Sequence, residues 1–314
     1  MTKTALVFPG QGSQFVGMGK DLYENFSCAK EVFETVDDVL SLKLSDIIFN
    51  GPAEELTKTQ NTQPALMAVS VAVMRVLEKE FGKKIEDLCD YAAGHSLGEY
   101  SALCAAGAIS LEDTAKLLQV RGNAMAKCGE KTSGSMAAIL GVEVEVAKKI
   151  AQEASQGEIC QIANDNSVGQ IVISGSKSAI ERSLQIAKDN GAKRAIALPV
   201  SGAFHSELMK EAESEMKEAL DAVEVKKPKV GIVANVVADF VSDENEIKDL
   251  LLKQITSSVR WRETMLLLEK NGVKNIVEIG AGKVLSGLVG RTCKEIDNVS
   301  RIGNLDEIKN FNFS

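Results

Sequence analysis

Residues Ala92–Ala102 read AAGHSLGEYSA, an apolar run that meets a serine between two glycines and then continues with helical spacing. Gly94-His95-Ser96-Leu97-Gly98 fits G-x-S-x-G, the pattern of a sharp strand-to-helix turn that lifts a serine hydroxyl off the end of a sheet. The spacing predicts a short strand over Tyr91–Ala93 and a helix over Leu97–Ala106, the context that such a turn requires. Ser96 reads either as a nucleophile or as a small residue in a tight turn, and the flanking strand and helix favour the nucleophile.

Working outward, Thr4–Phe8 reads as a buried strand, followed by the glycine-rich loop PGQGSQFVGMG and a helix from about Asp21. Helical spacing recurs from Gln63 to Phe81 and from Leu111 to Ala126. Past Ser133 the expected order changes to strand Met136–Leu140, helix Glu143–Ala154, strand Ile159–Asn164, strand Gln170–Ser174, helix Lys177–Asn190 and strand Lys193–Leu198. This βαββαβ order is that of a ferredoxin-like unit. After Pro199 helices and short apolar strands alternate again: a helix around Ser206–Val223, a strand at Val230–Ala234, helices on both sides of Trp261, a strand at Asn275–Ile279 and a final helix from Val284. The expected fold is therefore α/β, a hydrolase-like core with a mainly parallel sheet flanked by helices, over residues 1–132 and 199–314, carrying a ferredoxin-like insertion over 133–198.

Composition narrows the functions. The chain has 314 residues, 45% hydrophobic and 25% charged, which suits a folded globular protein. A net charge of -8 without a dense Lys/Arg block speaks against a nucleic-acid surface. The six cysteines form no C-x-x-C pair and only two histidines are present, so no metal set is expected and the thiols read as reduced. No signal-like or bilayer-spanning run stands out, and a cytoplasmic protein is expected.

A serine hydroxyl needs a base. His95 adjoins Ser96, so its side chain leaves the turn in another direction, and His205 in SGAFHSELM is the other imidazole. Gly10-Gln11-Gly12 is no dinucleotide loop, because Phe15 stands at the third glycine position of G-x-G-x-x-G. Its N–H groups, with that of Leu97, could instead form an oxyanion hole. Gly280–Val284, GAGKV, likewise lacks the phosphate-loop pattern and reads as a turn into a helix. Arg121, in the apolar helical run LLQVRGNAM, reads either as a snorkelling side chain or as a two-pronged carboxylate binder.

Taken together and in order, FPGQGSQ, GHSLGEYSAL, QVRGNAM, GAFHS and LLKQITSSVRW resemble the malonyl-CoA:acyl carrier protein transacylases of type II fatty-acid synthesis, over almost the whole chain. The resemblance implies an S-malonyltransferase that works by a ping-pong route, with Ser96 carrying the acyl group and His205 as base. It further implies Gln254 as the backbone carbonyl orienting His205, Gln11 and Leu97 as oxyanion donors, and Arg121 as the clamp for the malonyl carboxylate. Phe204 matches the malonyl-type pattern. Ser258 departs from the proline frequent at this site in the family, which bears on the rigidity of the chain near Gln254. Malonyl-CoA and phosphopantetheinylated acyl carrier protein are the implied substrates, with no bound cofactor or metal, no membrane or nucleic-acid partner, and a monomer. A basic patch of Lys193, Arg194, Lys283 and Arg291 is expected to meet the carrier protein. The rival readings are a serine esterase or thioesterase on the same elbow, and a catalytically silent docking subunit.

Overall fold

A computed structural model describes residues 2–200 and 202–312 of the chain. The first part runs β1 (Lys3–Phe8), α1 (Lys20–Asn25), α2 (Ser27–Leu40), α3 (Leu44–Asn50), α4 (Ala53–Thr57), α5 (Thr59–Phe81) and α6 (Ile85–Leu88). The elbow region follows as β2 (Tyr91–Gly94), α7 (Leu97–Ala105) and α8 (Leu111–Thr132). Next come β3 (Gly134–Leu140), α9 (Val144–Ser155), β4 (Cys160–Ser167), β5 (Gln170–Ser176), α10 (Lys177–Asp189) and β6 (Arg194–Ala197). A 3-10 turn (Glu207–Met209) leads into α11 (Ala212–Asp221), β7 (Gly231–Ala234), β8 (Asp239–Val241), α12 (Glu244–Lys253) and α13 (Trp261–Lys270). The chain closes with β9 (Val273–Ile279), α14 (Val284–Thr292), β10 (Asn298–Ile302) and α15 (Leu305–Asn310).

Six strands form one sheet in the order β10-β9-β1-β2-β7-β8, parallel except where β8 turns back antiparallel to β7. Its central strand is buried on both faces, as a sheet with helices on each side requires. Leu6 and Phe8 of β1 face the core under α2, α5 and α8, while Ala5 and Val7 face Trp261, Met265 and Leu288 of α13 and α14. The two-residue period of a strand thus serves two cores. Helix α5 is buried almost all round, from Thr59 to Leu77, which explains why its sequence is apolar without a clear polar face.

Four strands form a second, antiparallel sheet in the order β4-β5-β3-β6. Ala137, Ile139, Ile171 and Ile173 on one face pack against Ile150 of α9 and Ile180 of α10. Met136, Val172 and Ala163 on the other face join the main core. We propose residues 133–198 as an inserted ferredoxin-like unit within a core of 1–132 and 199–314, a division supported by all four strands of this sheet lying between Gly134 and Ala197.

Three expectations need correction. The helix at Val284 is not the last element, because β10 pairs with β9 at the edge of the large sheet and α15 follows it. Val299 on β10 is 42% exposed, so this edge strand lacks the apolar run that marked the central strands. The helix around Ser206–Val223 is broken into a 3-10 turn and α11. Finally, α8 continues past Ala126 to Thr132.

Candidate active site

β1 and β2 pair in register from Ala5↔Tyr91 to Phe8↔Gly94, which brings the chain to the carboxyl edge of the sheet just before Ser96. There it reverses into α7 within two residues, and Ser96 takes φ 55 and ψ -114. A non-glycine residue in such a conformation costs about 1–3 kcal/mol and persists where its surroundings hold it. The two glycines make the turn possible. A Cβ on Gly94 would lie 1.9 Å from the Gly98 carbonyl group, and one on Gly98 would lie 2.2 Å from the Phe8 carbonyl oxygen. Asn235, just after β7, staples the elbow: its Oδ1 accepts the Ser96 N–H at 2.8 Å and its Nδ2 donates to the Gly94 carbonyl at 2.7 Å.

His205 meets the serine from the crossover that follows β6. Its Nε2 lies 2.9 Å from Ser96 Oγ, and its Nδ1 lies 2.8 Å from the Gln254 carbonyl oxygen. The proton positions follow from the partners. Arg121 Nη2 donates to Ser96 Oγ at 3.0 Å, and a carbonyl oxygen only accepts, so the serine O–H donates to Nε2 and the imidazole carries its proton on Nδ1. Burial, and then the Arg121 charge, push the His205 pKa down to about 3, so the ring is neutral, with Nε2 free to accept the serine hydrogen bond. His95 turns away, as expected, with Nε2 2.8 Å from Asn166 Oδ1 and its ring against Trp261. Burial lowers its pKa as well.

Arg121 is no snorkelling residue, being 1% exposed in the middle of α8. Gly122 lets α8 approach the start of α5, since a Cβ there would lie 2.6 Å from Gln60 Cα. That approach places Gln63 Oε1 2.7 Å from Arg121 Nη1, while Nη2 also reaches Gln254 Oε1 at 2.8 Å. The guanidinium centre lies 5.6 Å from the centroid of the Tyr100 ring. One side chain thus presents a planar, positive fork at the serine oxygen.

Gln254 follows α12 and has two tasks. Its carbonyl holds His205; its amide Nε2 donates to Glu99 Oε2 at 2.7 Å and to the Ser96 carbonyl at 3.2 Å. The segment after it is held by hydrogen bonds to β4: Val259 N–H to Ala163 O at 2.8 Å, Asp165 N–H to Val259 O at 3.0 Å, and the Ser258 hydroxyl to Ile162 O. Serine in place of proline at position 258 therefore supplies a tether that proline lacks. Gln161, also on β4, donates through Nε2 to the carbonyls of His205 at 3.5 Å and Thr256 at 3.3 Å, and accepts the Glu207 N–H at 3.1 Å.

Leu97 is the first residue of α7, so its N–H has no intrahelical acceptor. Gln11 is exposed in the loop after β1, next to Gly10, where a Cβ would lie 2.6 Å from the His95 carbonyl oxygen. Phe204 is buried in the main core beside the base. Sequence reasoning missed Gln63, Asn235, Glu99 and Gln161. The polar run Asn61-Thr62-Gln63 directly before the apolar stretch from Pro64 was a signal for the first, and the Asn after the short strand at Val230–Ala234 was one for the second. Among the described residues no group of His, Cys, Asp and Glu is placed to hold a metal, and no helix is long and apolar enough to cross a membrane.

A serine on a strand-to-helix elbow, sharing its hydroxyl with a neutral imidazole at the carboxyl edge of an α/β sheet, is the arrangement of enzymes that pass acyl groups through a serine ester. The chain belongs to the acyl transferase domain family, whose model matches residues 5–309. It is 48% identical to the malonyl CoA-acyl carrier protein transacylase of Bacillus subtilis, over 96% of this chain and 93% of that one. Identity to the Haemophilus influenzae protein of the same name is 39%, over 99% and 98% of the two chains. The crystal structure of the acyl-carrier-protein S-malonyltransferase from Bartonella henselae matches with a TM-score of 0.94 and 52% identity, covering 98% of this chain and 97% of that one. A type II PKS acyl-carrier protein in complex with its malonyl-transacylase matches with a TM-score of 0.93 at 38% identity, covering 98% of each chain.

Proposed function

We propose that this chain transfers the malonyl group of malonyl-CoA to the phosphopantetheine thiol of acyl carrier protein, by way of a malonyl ester on Ser96, for fatty-acid biosynthesis in the cytoplasm. The observation that carries the reading is the buried Arg121 guanidinium 3.0 Å from the serine oxygen. A hydrolase or a general acyl carrier has no need of a buried cation there, whereas an acyl group ending in a carboxylate does.

The serine O–H gives its proton to His205 Nε2 as Oγ attacks the thioester carbonyl. The N–H groups of Leu97 and Gln11 hold the oxyanion, and the Gln254 carbonyl steadies the imidazolium through Nδ1–H. The proton then passes to the leaving CoA thiolate. In the second half the carrier thiol gives its proton to His205 and its sulfur attacks the ester carbonyl; the bond to Ser96 Oγ breaks, and His205 returns the proton to that oxygen. Arg121 must release Ser96 Oγ to grip the malonyl carboxylate, and that carboxylate offsets the Arg121 charge, which after burial is the second cause holding down the His205 pKa. Binding of the right acyl group thereby removes part of the depression, while that due to burial remains.

Acyl carrier protein is the proposed transient partner of a monomer that acts with no bound cofactor. Lys283 starts α14 just after β9, on the same carboxyl edge as Ser96, and Arg291 on α14 reaches across to Gln170 Oε1 at 2.7 Å. Lys193 and Arg194 lie at β6, the edge of the small sheet. These four side chains are the proposed docking contacts.

Intact-mass measurement after incubation with malonyl-CoA tests the reading. A malonyl adduct that maps to Ser96, is absent in Ser96→Ala, and moves to added carrier protein is expected. Release of free malonate without transfer would replace the transferase by the thioesterase, and no adduct at all would leave the silent docking subunit.

A further inference from the structure

The transfer mechanism leaves one charged side chain of the site without a task. Glu99, in the first turn of α7, is 3% exposed. Its Oε2 accepts the Gln254 Nε2–H at 2.7 Å and the Asn235 N–H at 3.1 Å. On the other side of the same Gln254 amide, Oε1 accepts from Arg121 Nη2 at 2.8 Å. Guanidinium, amide and carboxylate thus form a line, with the amide dipole aligned between the two charges.

The charge balance of this buried cluster follows. Arg121 is positive and His205 is neutral, so these side chains sum to zero when Glu99 is ionised. A malonyl group brings one more negative charge, whereas an acetyl group brings none. The titratable groups facing Glu99 are Arg121 from α8 and the adjacent Tyr100, whose phenol burial pushes up to about 12; Asn235 and Gln254 offer only uncharged donors. There is thus one cation for two carboxylates away from water, and a buried anion whose charge is no longer offset, even with two hydrogen-bond donors, is disfavoured relative to its protonated form.

We propose that Glu99 takes up a proton from solvent when Ser96 becomes malonylated, and gives it back when the malonyl group leaves for the carrier protein. The inference rests on Arg121 binding the malonyl carboxylate, as proposed above. Ester formation itself is proton-neutral, because the serine proton passes through His205 to the departing thiolate. Both donors to Glu99 converge on Oε2, which leaves Oε1 to carry the new proton. Burial already raises the Glu99 pKa to about 7, with Asn235, Gln254 and Arg121 pulling it down. Once a second carboxylate offsets Arg121, that pull weakens and the pKa rises further.

The experiment is single-turnover loading of the full chain at about pH 8 in weak buffer with a pH indicator, using malonyl-CoA and, separately, acetyl-CoA. Expected is an excess uptake approaching about one proton per malonyl-serine over that per acetyl-serine, which removes any contribution from the CoA thiol. Glu99→Gln keeps an oxygen for both donors and should form the adduct without the excess uptake. Equal proton changes for the two acyl groups in the native protein, or an excess that survives in Glu99→Gln, would overturn the proposal. If that variant does not fold, difference infrared spectroscopy of the native protein decides: a new protonated-carboxyl band that stays put when the malonyl carboxyl is carbon-13 labelled supports Glu99, and a band that shifts, or none, refutes it. Absence of a malonyl-serine adduct in the native protein would instead strike the transferase reading itself.

Discussion

Arg121 donates to the hydroxyl of Ser96, with Nη2 and Oγ 3.0 Å apart. The group proposed to choose the acyl chain therefore touches the group proposed to carry it. Selection and chemistry are coupled through one hydrogen bond, and replacing either partner should be felt in both.

Arg121→Ala should lower malonyl transfer at least ten- to a hundredfold, because a hydrogen bond to a charged group contributes about 1.5–3 kcal/mol. Acetyl transfer should fall much less. Arg121→Lys keeps the charge but loses the planar fork and should lie between. The ratio of malonyl to acetyl kcat/KM for the three proteins is the measurement, and an unchanged ratio in Arg121→Ala would leave the arginine a structural role only.

His205→Ala should slow both half-reactions about a hundredfold to ten-thousandfold, the usual contribution of a positioned base. His95→Ala removes the contact with Asn166 and should act mainly on folding. Rapid-quench rates of adduct formation and of transfer to carrier protein separate the two.

The His205 pKa, depressed to about 3, also has a sign in stability. The unfolded chain protonates this ring below its ordinary value near 6.5, whereas the folded chain does so only near 3. Its contribution to stability is therefore complete above about 6.5 and is lost as pH falls toward 3. His205→Gln should flatten that part of the curve of denaturation midpoint against pH. Equal slopes for both proteins between neutral pH and about 4 would contradict the assignment.

Gly98→Ala places a methyl group 2.2 Å from the Phe8 carbonyl oxygen, which belongs to the backbone of a central strand and has nowhere to go. A loss of about 1–3 kcal/mol or more is expected, with activity falling further than stability as the elbow distorts. Thermal unfolding alongside adduct yield at low temperature tests this.

Asn235→Ala strands the Ser96 N–H and the Gly94 carbonyl, both buried, and about 1–3 kcal/mol is the ordinary loss for each such group. Initial rates should drop with little change in KM, since no substrate contact is removed. A raised KM at constant kcat would instead place Asn235 in substrate binding.

Much of this was legible in the chain because it is local. The elbow needs two glycines within five residues, and the order of strands and helices from Ser133 to Leu198 follows two- and three-residue periods that the small sheet realises with modest shifts of boundary. β10 and α15 were not legible: an edge strand that exposes Val299 lacks the apolar run of a central one, and a six-residue helix has too few turns to show a period. Asn235, Glu99 and Gln63 escaped for another reason. They act through partners 58 to 155 positions away, and a polar residue beside an apolar segment looks the same whether it meets water or Arg121.

Gln161 gives the base a mounting that crosses between the two sheets. Its amide grips the carbonyls of His205 and Thr256 from β4, while Ser96 stands on the frame of the large sheet. That grip on the His205 carbonyl is long, 3.5 Å, beside the 2.8 Å bond from the imidazole Nδ1 to the Gln254 carbonyl, so the ring takes its position from the core segment and only its backbone is braced from the small sheet. The serine and the imidazole are thus carried by one frame, the elbow and the crossover of the large-sheet core, with β4 as an outrigger that steadies the backbone of the histidine.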